Sequence, residues 1–331
     1  MNKLNFLPFL LLFVVAAQAQ SIKHVSNFSA YQQFYNPALT GNEGSVAKSF
    51  YRNQWTGFED APKTIFFSAE MDAADFSKSV DKRKNFQFRD SGTGYQGAKH
   101  AFGLTALQDR FGPARETQLQ LNYGTGVRLS EKLSLRWGGA LTYHNYRVDG
   151  SSLVVDEESD PRYQDLYGQD ARSSKADLNL GIALASGNYY LGYAMQDVTR
   201  GHFNFNGDTF SKELYTRKHV VQAGFRTDLT DQFGMIVNGL YQYDQQVKST
   251  TEAQVKLVYQ NMVWLGGGYR NELAYNLAAG VNFSQLRISY AYESPIQEAR
   301  SIQKSTNEIG LSYTFRPATQ TRTGSYSVSF W

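Results

Sequence analysis

The sequence predicts an all-β fold: a transmembrane antiparallel up-and-down β-barrel of about 14 strands, preceded by a short irregular segment. Three observations predict it. Apolar and polar residues alternate with period two along almost the whole chain. The connections between the alternating runs are short and long by turns. Tyr and Phe number 22 each, yet mean hydropathy is below zero. A water-soluble core would draw chiefly on Leu, Ile and Val, so this excess of tyrosine needs another use.

The elements follow in chain order. Lys3, an apolar run over 6–15 and the small-x-small triplet Ala17-Gln18-Ala19 form a secretory signal peptide, residues 1–19, cut after Ala19. Its apolar run is shorter than the roughly 20 residues that a spanning helix needs. Residues 20–43 are expected as a periplasmic N-terminal segment containing FSAYQQFYNPALTG. Asn36-Pro37 makes a turn there, and Phe28, Tyr31, Phe34 and Tyr35 form an aromatic cluster. The segment is a candidate cap for the barrel mouth, or a partner contact.

Residues 44–315 hold the barrel. In QLQLNYGTGVRL (118–129) one parity reads Leu119, Leu121, Tyr123, Thr125, Val127, Leu129 and the other Gln118, Gln120, Asn122, Gly124, Gly126, Arg128. The pattern recurs at 133–144, 176–185, 221–229, 233–243, 253–259, 275–283, 286–293 and 309–315. Less regular runs lie at 45–55, 63–73, 98–109, 188–196 and 262–270. Connections at 130–132, 186–188, 230–232, 260–262 and 284–285 are minimal; those at 147–174, 197–217, 244–250 and 294–304 are longer. Short periplasmic turns and long outside loops are the habit of outer-membrane barrels, with 74–96 the exception. Trp55, Tyr143, Tyr193, Tyr241, Tyr243, Trp264, Tyr269 and Tyr292 lie near strand ends, where a headgroup girdle is expected. Residues 316–331, opened by Arg316-Pro317, are a periplasmic tail.

A soluble β-sandwich also alternates. Here, however, the polar parity is rich in small residues (Gly138, Ala140, Gly181, Ala183, Gly224, Gly280), which suit a narrow, filled lumen. Lipid supplies no hydrogen bonds, so the first run must pair with the last.

Chemistry is sparse. Without cysteine there is no disulfide framework and no thiolate nucleophile or ligand. His24, His100, His144, His202 and His219 lack zinc spacing, and no nucleophile elbow or phosphate loop occurs, so no catalytic residue, metal or cofactor is assigned. The acidic stretch VVDEESDP at 154–161 lacks the ligand pattern of a calcium loop. A net charge of +3 with interspersed signs gives no footprint for nucleic acid. The inward parity carries charges of both signs: Glu70, Asp72, Arg128, Arg136, Asp177, Arg226, Asp228, Lys256, Arg287 and Glu308. Such near-balanced charges pair with one another and close a lumen more readily than they line a solute path.

Three blocks carry a resemblance. Phe28, Ser29, Tyr31, Asn36, Pro37, Ala38 and Gly41 match the N-terminal signature of the PorP/SprF family. Arg52, Asn53, Gln54, Trp55, Gly57, Pro62 and Thr64 match its second run; Asp109, Gly112 and Pro113 match its third. The chain departs from the family in its extension after Phe315. The resemblance implies an outer-membrane barrel of the type IX secretion and gliding machinery of Bacteroidetes. It also implies partners: outer-membrane lipid, and a large secreted substrate such as an adhesin or other machine components. It implies no enzymatic residue. The competing expectation is a solute channel or hydrophobic-compound transporter, which needs an open lumen; an outer-membrane enzyme lacks an assembled nucleophile and base.

Overall fold

The computed structural model describes residues 24–75, 99–149, 170–206, 216–244, 249–296 and 304–315. The signal peptide, the tail after Phe315 and the acidic stretch at 154–161 lie outside the described residues.

Strands run at Val46–Asn53 (β1), Lys63–Asp72 (β2), His100–Phe111 (β3), Ala114–Arg128 (β4) and Leu133–Asp149 (β5). They continue at Asp170–Ser186 (β6), Tyr189–Gln196 (β7), Phe203–Asn206 (β8), Lys218–Asp228 (β9) and Phe233–Asp244 (β10). Thr250–Tyr259 (β11), Val263–Arg270 (β12), Ala274–Phe283 (β13), Leu286–Pro295 (β14) and Thr306–Thr314 (β15) complete the set. Fourteen of them form a closed antiparallel ring; β8 continues along the edge of β6 where β7 has ended. Closure is made by β1 on β15, in register from Val46 opposite Thr314 to Asn53 opposite Asn307. Each of the fourteen ring strands thereby has a partner on both sides, as a nonpolar surrounding requires.

The alternation places side chains as the sequence predicts. Along β11, Thr250, Glu252, Gln254, Lys256 and Val258 are buried, and the residues between them are exposed. Outward positions such as Leu121, Leu141, Leu180, Leu265 and Leu277 form an apolar exterior, while the interior is polar. At the three-residue connection 260–262, Gln260 and Asn261 both take left-handed backbone and the Met262 amide donates to the Tyr259 carbonyl, a tight turn whose positive φ values match strand twist.

Two expectations change. Strands β5 and β6 reach 17 residues each, beyond the runs ending near His144 and starting near Ala176. Their ladder continues past the point where apolar alternation stops, because backbone pairing needs no apolar face above a bilayer. Trp264 is not a girdle residue: it is 2% exposed and points inward, its ring under the Lys256 ammonium at 5.0 Å. Strand β12 begins at exposed Val263, one residue into the expected run 262–270, and this puts Trp264 on the inward parity.

Candidate functional site

The lumen is filled by the chain's own N-terminal segment. Residues 25–42 are buried almost throughout, in two 3₁₀ turns, Phe28–Tyr31 and Pro37–Leu39, flanking a single α-turn, Gln32–Tyr35. Asn36 caps the second 3₁₀ turn: its Oδ1 accepts from the Ala38 amide at 2.9 Å, with Pro37 in the first helical position.

The segment does not lie across one mouth. His24 meets Glu252, close to the long-loop end of β11. Ser26 meets Glu293 and Glu308 near the same end of β14 and β15. The Tyr31 hydroxyl donates to the Ser49 carbonyl midway along β1. Arg136, near the short-turn end of β5, donates to the carbonyls of Ala38 at 2.9 Å and Thr40 at 2.7 Å. The Gly41 amide donates to Glu70 at 2.7 Å, near the end of β2 that lies on the barrel's short-turn side. The chain thus runs through the whole interior before entering β1. This corrects the expected mouth cap. The physical reason is that a backbone with little regular pairing of its own needs acceptors and donors along its length, and the inward parity supplies them.

Shape is supplied by the glycines. A Cβ at Gly138 would collide with the Pro37 carbonyl, and one at Gly181 with the Asn36 amide. The Asn36-Pro37 turn therefore sits in a trough of wall without side chains. On the other side an aromatic knot forms. Tyr31 meets Phe50 and Phe66 edge-on, each with ring centres 5.0 Å apart, and Phe34 meets Phe66 at 5.6 Å. Phe28 and Tyr35 are buried in the same cluster.

Charges fasten both ends. At the long-loop end Arg52 pairs with Glu293 at 3.0 Å and Glu308 at 3.2 Å, and Arg270 pairs with Glu252 and Glu293, each at 3.0 Å. His24 is 3.1 Å from Glu252, and Glu308 accepts the Ser26 amide. Burial, and then Arg270, hold the His24 imidazole below its ordinary pKa against the pull of Glu252. At the other end Lys48 pairs with Glu43 at 3.3 Å and Glu70 at 3.4 Å, and Arg287 reaches Glu43 at 3.7 Å. Burial raises the Glu43 carboxyl, but Lys48 and Arg287 outweigh it, so its pKa stands below the ordinary value. Burial keeps the Tyr31 and Tyr35 hydroxyls protonated well above their usual range. Removing one partner from such a buried pair costs about 3–5 kcal/mol.

Of the predicted lumen charges, Glu70, Arg136, Asp177, Arg226, Lys256 and Glu308 are buried inside. Lys256 donates to the Ser29 hydroxyl at 2.7 Å. Asp72 and Arg287 are half-buried. Arg128 and Asp228 are exposed at the short-turn rim, a correction: their parity is inward, but each closes its strand where the wall ends. Lys48, Glu252, Arg270 and Glu293 were missed. Glu252 shares the parity of Gln254 and Lys256, Arg270 and Glu293 adjoin the girdle residues Tyr269 and Tyr292, and Lys48 shares the inward parity of Arg52 on β1, so the period-two reading carried the signal.

The remaining motif residues converge at the long-loop rim. Thr64 hydrogen-bonds Asp109 across β2 and β3, the Gln54 amide donates to the Pro62 carbonyl at 2.9 Å, and the Gly112 amide donates to the Asp60 carbonyl at 3.2 Å. Trp55 packs edge-on against Phe111 at 5.5 Å, Asn53 closes the β1–β15 register, and the Pro113 carbonyl accepts the Asp149 amide. Among the described residues no three His, Asp or Glu side chains are grouped as metal ligands.

A family model described as type IX secretion system membrane protein PorP/SprF matches residues 17–313. No curated protein matches the chain. Among solved structures, the toluene transporter TbuX of Ralstonia pickettii is similar at 10% identity, over 87% of this chain and 94% of its own, with a TM-score of 0.45. The CymD monoaromatic hydrocarbon channel is similar at 12% identity, over 89% and 95%, with a TM-score of 0.49. A Pseudomonas aeruginosa FadL homologue aligns at 9% identity over 87% and 94%, with a TM-score of 0.44.

Proposed function

This chain belongs to the PorP/SprF family of type IX secretion system membrane proteins, and from that premise we propose that it serves as a closed outer-membrane barrel holding a particular secreted protein at the cell surface. On this reading residues 1–19 are a signal peptide that delivers the chain for export. The partner is a large type IX substrate such as an adhesin of gliding Bacteroidetes, or another component of the machine. The role is non-enzymatic: a platform, with the cargo engaged at the long-loop end.

One observation carries the reading. Residues 24–45 occupy the lumen from one end to the other and hydrogen-bond its wall, so cargo has no path through the barrel. A solute channel needs that path open. The test is removal of the gene, followed by quantification of large secreted proteins on cells and in the medium. We expect one such protein to leave the surface fraction and to return on complementation. Unaltered surface display of every such protein would defeat the proposal.

A further inference from the structure

The turn between β7 and β8 is built more firmly than a connection requires. Asp177, buried in β6, accepts the amides of Leu178 at 2.7 Å, Thr199 at 2.8 Å and Gly201 at 2.8 Å. Asp197 is clamped between Lys175 at 3.1 Å and Lys218 at 3.4 Å. Asp197 and Arg200 are both held in left-handed backbone, at a cost of about 1 kcal/mol or more each.

Beyond buried Asp197, the turn exposes Arg200 and His202. Arg217 and His219 share the outward parity of β9 with Val221, and His219 hydrogen-bonds the Tyr193 hydroxyl at 2.8 Å and packs against Tyr243. Arg217 stands one step beyond that aromatic belt, toward the long-loop end, its Nε donating to the Val198 carbonyl at 3.0 Å. Phe203 and Phe205 continue the outward face of β6 at the same level, 58% and 65% exposed. Between them lies an apolar hollow of about 430 Å³ lined by Val198, Thr199, Arg200, His202, Phe203 and Arg217. Neither Arg200 nor Arg217 forms an ion pair among the described residues.

We propose that this hollow binds one anionic phospho-glycolipid of the outer leaflet, its phosphate on Arg200 and Arg217 and its hydrocarbon on Phe203 and Val198. An aromatic belt marks headgroup depth, and guanidinium is the cation whose fork fits phosphate. The hollow is continuous with the lipid-facing exterior, so the occupant arrives by lateral diffusion. The rigid turn matters because the two arginines come from different segments, and a fixed spacing spares the ordering cost on binding.

The test is native mass spectrometry of the full chain in detergent, titrated with purified diphosphoryl lipid A. We expect one retained lipid per barrel, with affinity reduced about tenfold in the Arg200→Ala/Arg217→Ala double variant, equivalent to about 1.4 kcal/mol. Phe203→Ala, which leaves both cations, should weaken retention as well. An Arg110→Ala/Arg115→Ala control on β3 and β4, away from the hollow, should bind like wild type. Equal retention by the double variant would overturn the site. Displacement of lipid A by millimolar inorganic phosphate alone, or equal retention of phosphatidylglycerol, would overturn the assignment to an outer-leaflet glycolipid.

Discussion

Gly138 shows what one missing side chain does. Its backbone faces the Pro37 carbonyl so closely that a Cβ would collide with it, whereas a Cβ at neighbouring Gly139 would meet Leu180 at an ordinary 3.7 Å. Gly138→Val should therefore destabilise the folded barrel by about 1–3 kcal/mol, the cost of overpacking. Gly139→Val should stay within about 0.5 kcal/mol. Urea denaturation in micelles separates the two. His24 adds a pH dependence. Its pKa is lowered in the folded state, so between that lowered value and about 6.5 the unfolded chain binds more protons. The anchor at Glu252 is then at full strength above about pH 6.5 and weakens as pH falls below it. The hydrogen-exchange protection of residues 24–27, relative to the intrinsic exchange rate at each pH, should fall on acidification in the wild type and lose that component in His24→Ala.

At the scale of elements, the N-terminal segment and the wall define each other. The segment has two 3₁₀ turns and one α-turn, too little regular structure to stand alone. The inward Arg136, Gln196, Glu70 and Lys48 in turn find their partners on its backbone. Deleting residues 21–42 should leave the strand ladder paired but remove the filling. Single-channel conductance in planar bilayers should rise well above that of the intact chain; a deletion that stays closed would mean that something else blocks the lumen. The strands were legible from alternation, and the small residues of the inner parity announced a filled interior. What filled it was not legible. An aromatic, Asn-Pro-containing stretch has the same sequence whether it rests on a rim or threads a barrel, since depth depends on contacts with residues such as Glu308, more than 250 positions away.

For the whole molecule, the decisive surface is the outward one. Leu121, central in β4, is 58% exposed and belongs to the apolar band. Leu121→Arg should cost about 2–4 kcal/mol of folding free energy in liposomes, and the same change at Leu129, by the short-turn end, about 0–1 kcal/mol. Such a gradient distinguishes a bilayer-spanning wall from a face that meets water. Family membership agrees with that placement.

By itself the sequence determined the barrel, its strand number and which parity faces inward, because a period of two is a local property and lipid tolerates no unpaired strand edge. The motif residues also determined the family. Only the tertiary structure decided the path of residues 24–45, the pairing of Arg52 and Arg270 with Glu252, Glu293 and Glu308, and the inward turn of Trp264. Those depend on which residues ring closure brings to the same height, and height around a closed ring is set by register accumulated over all its strands.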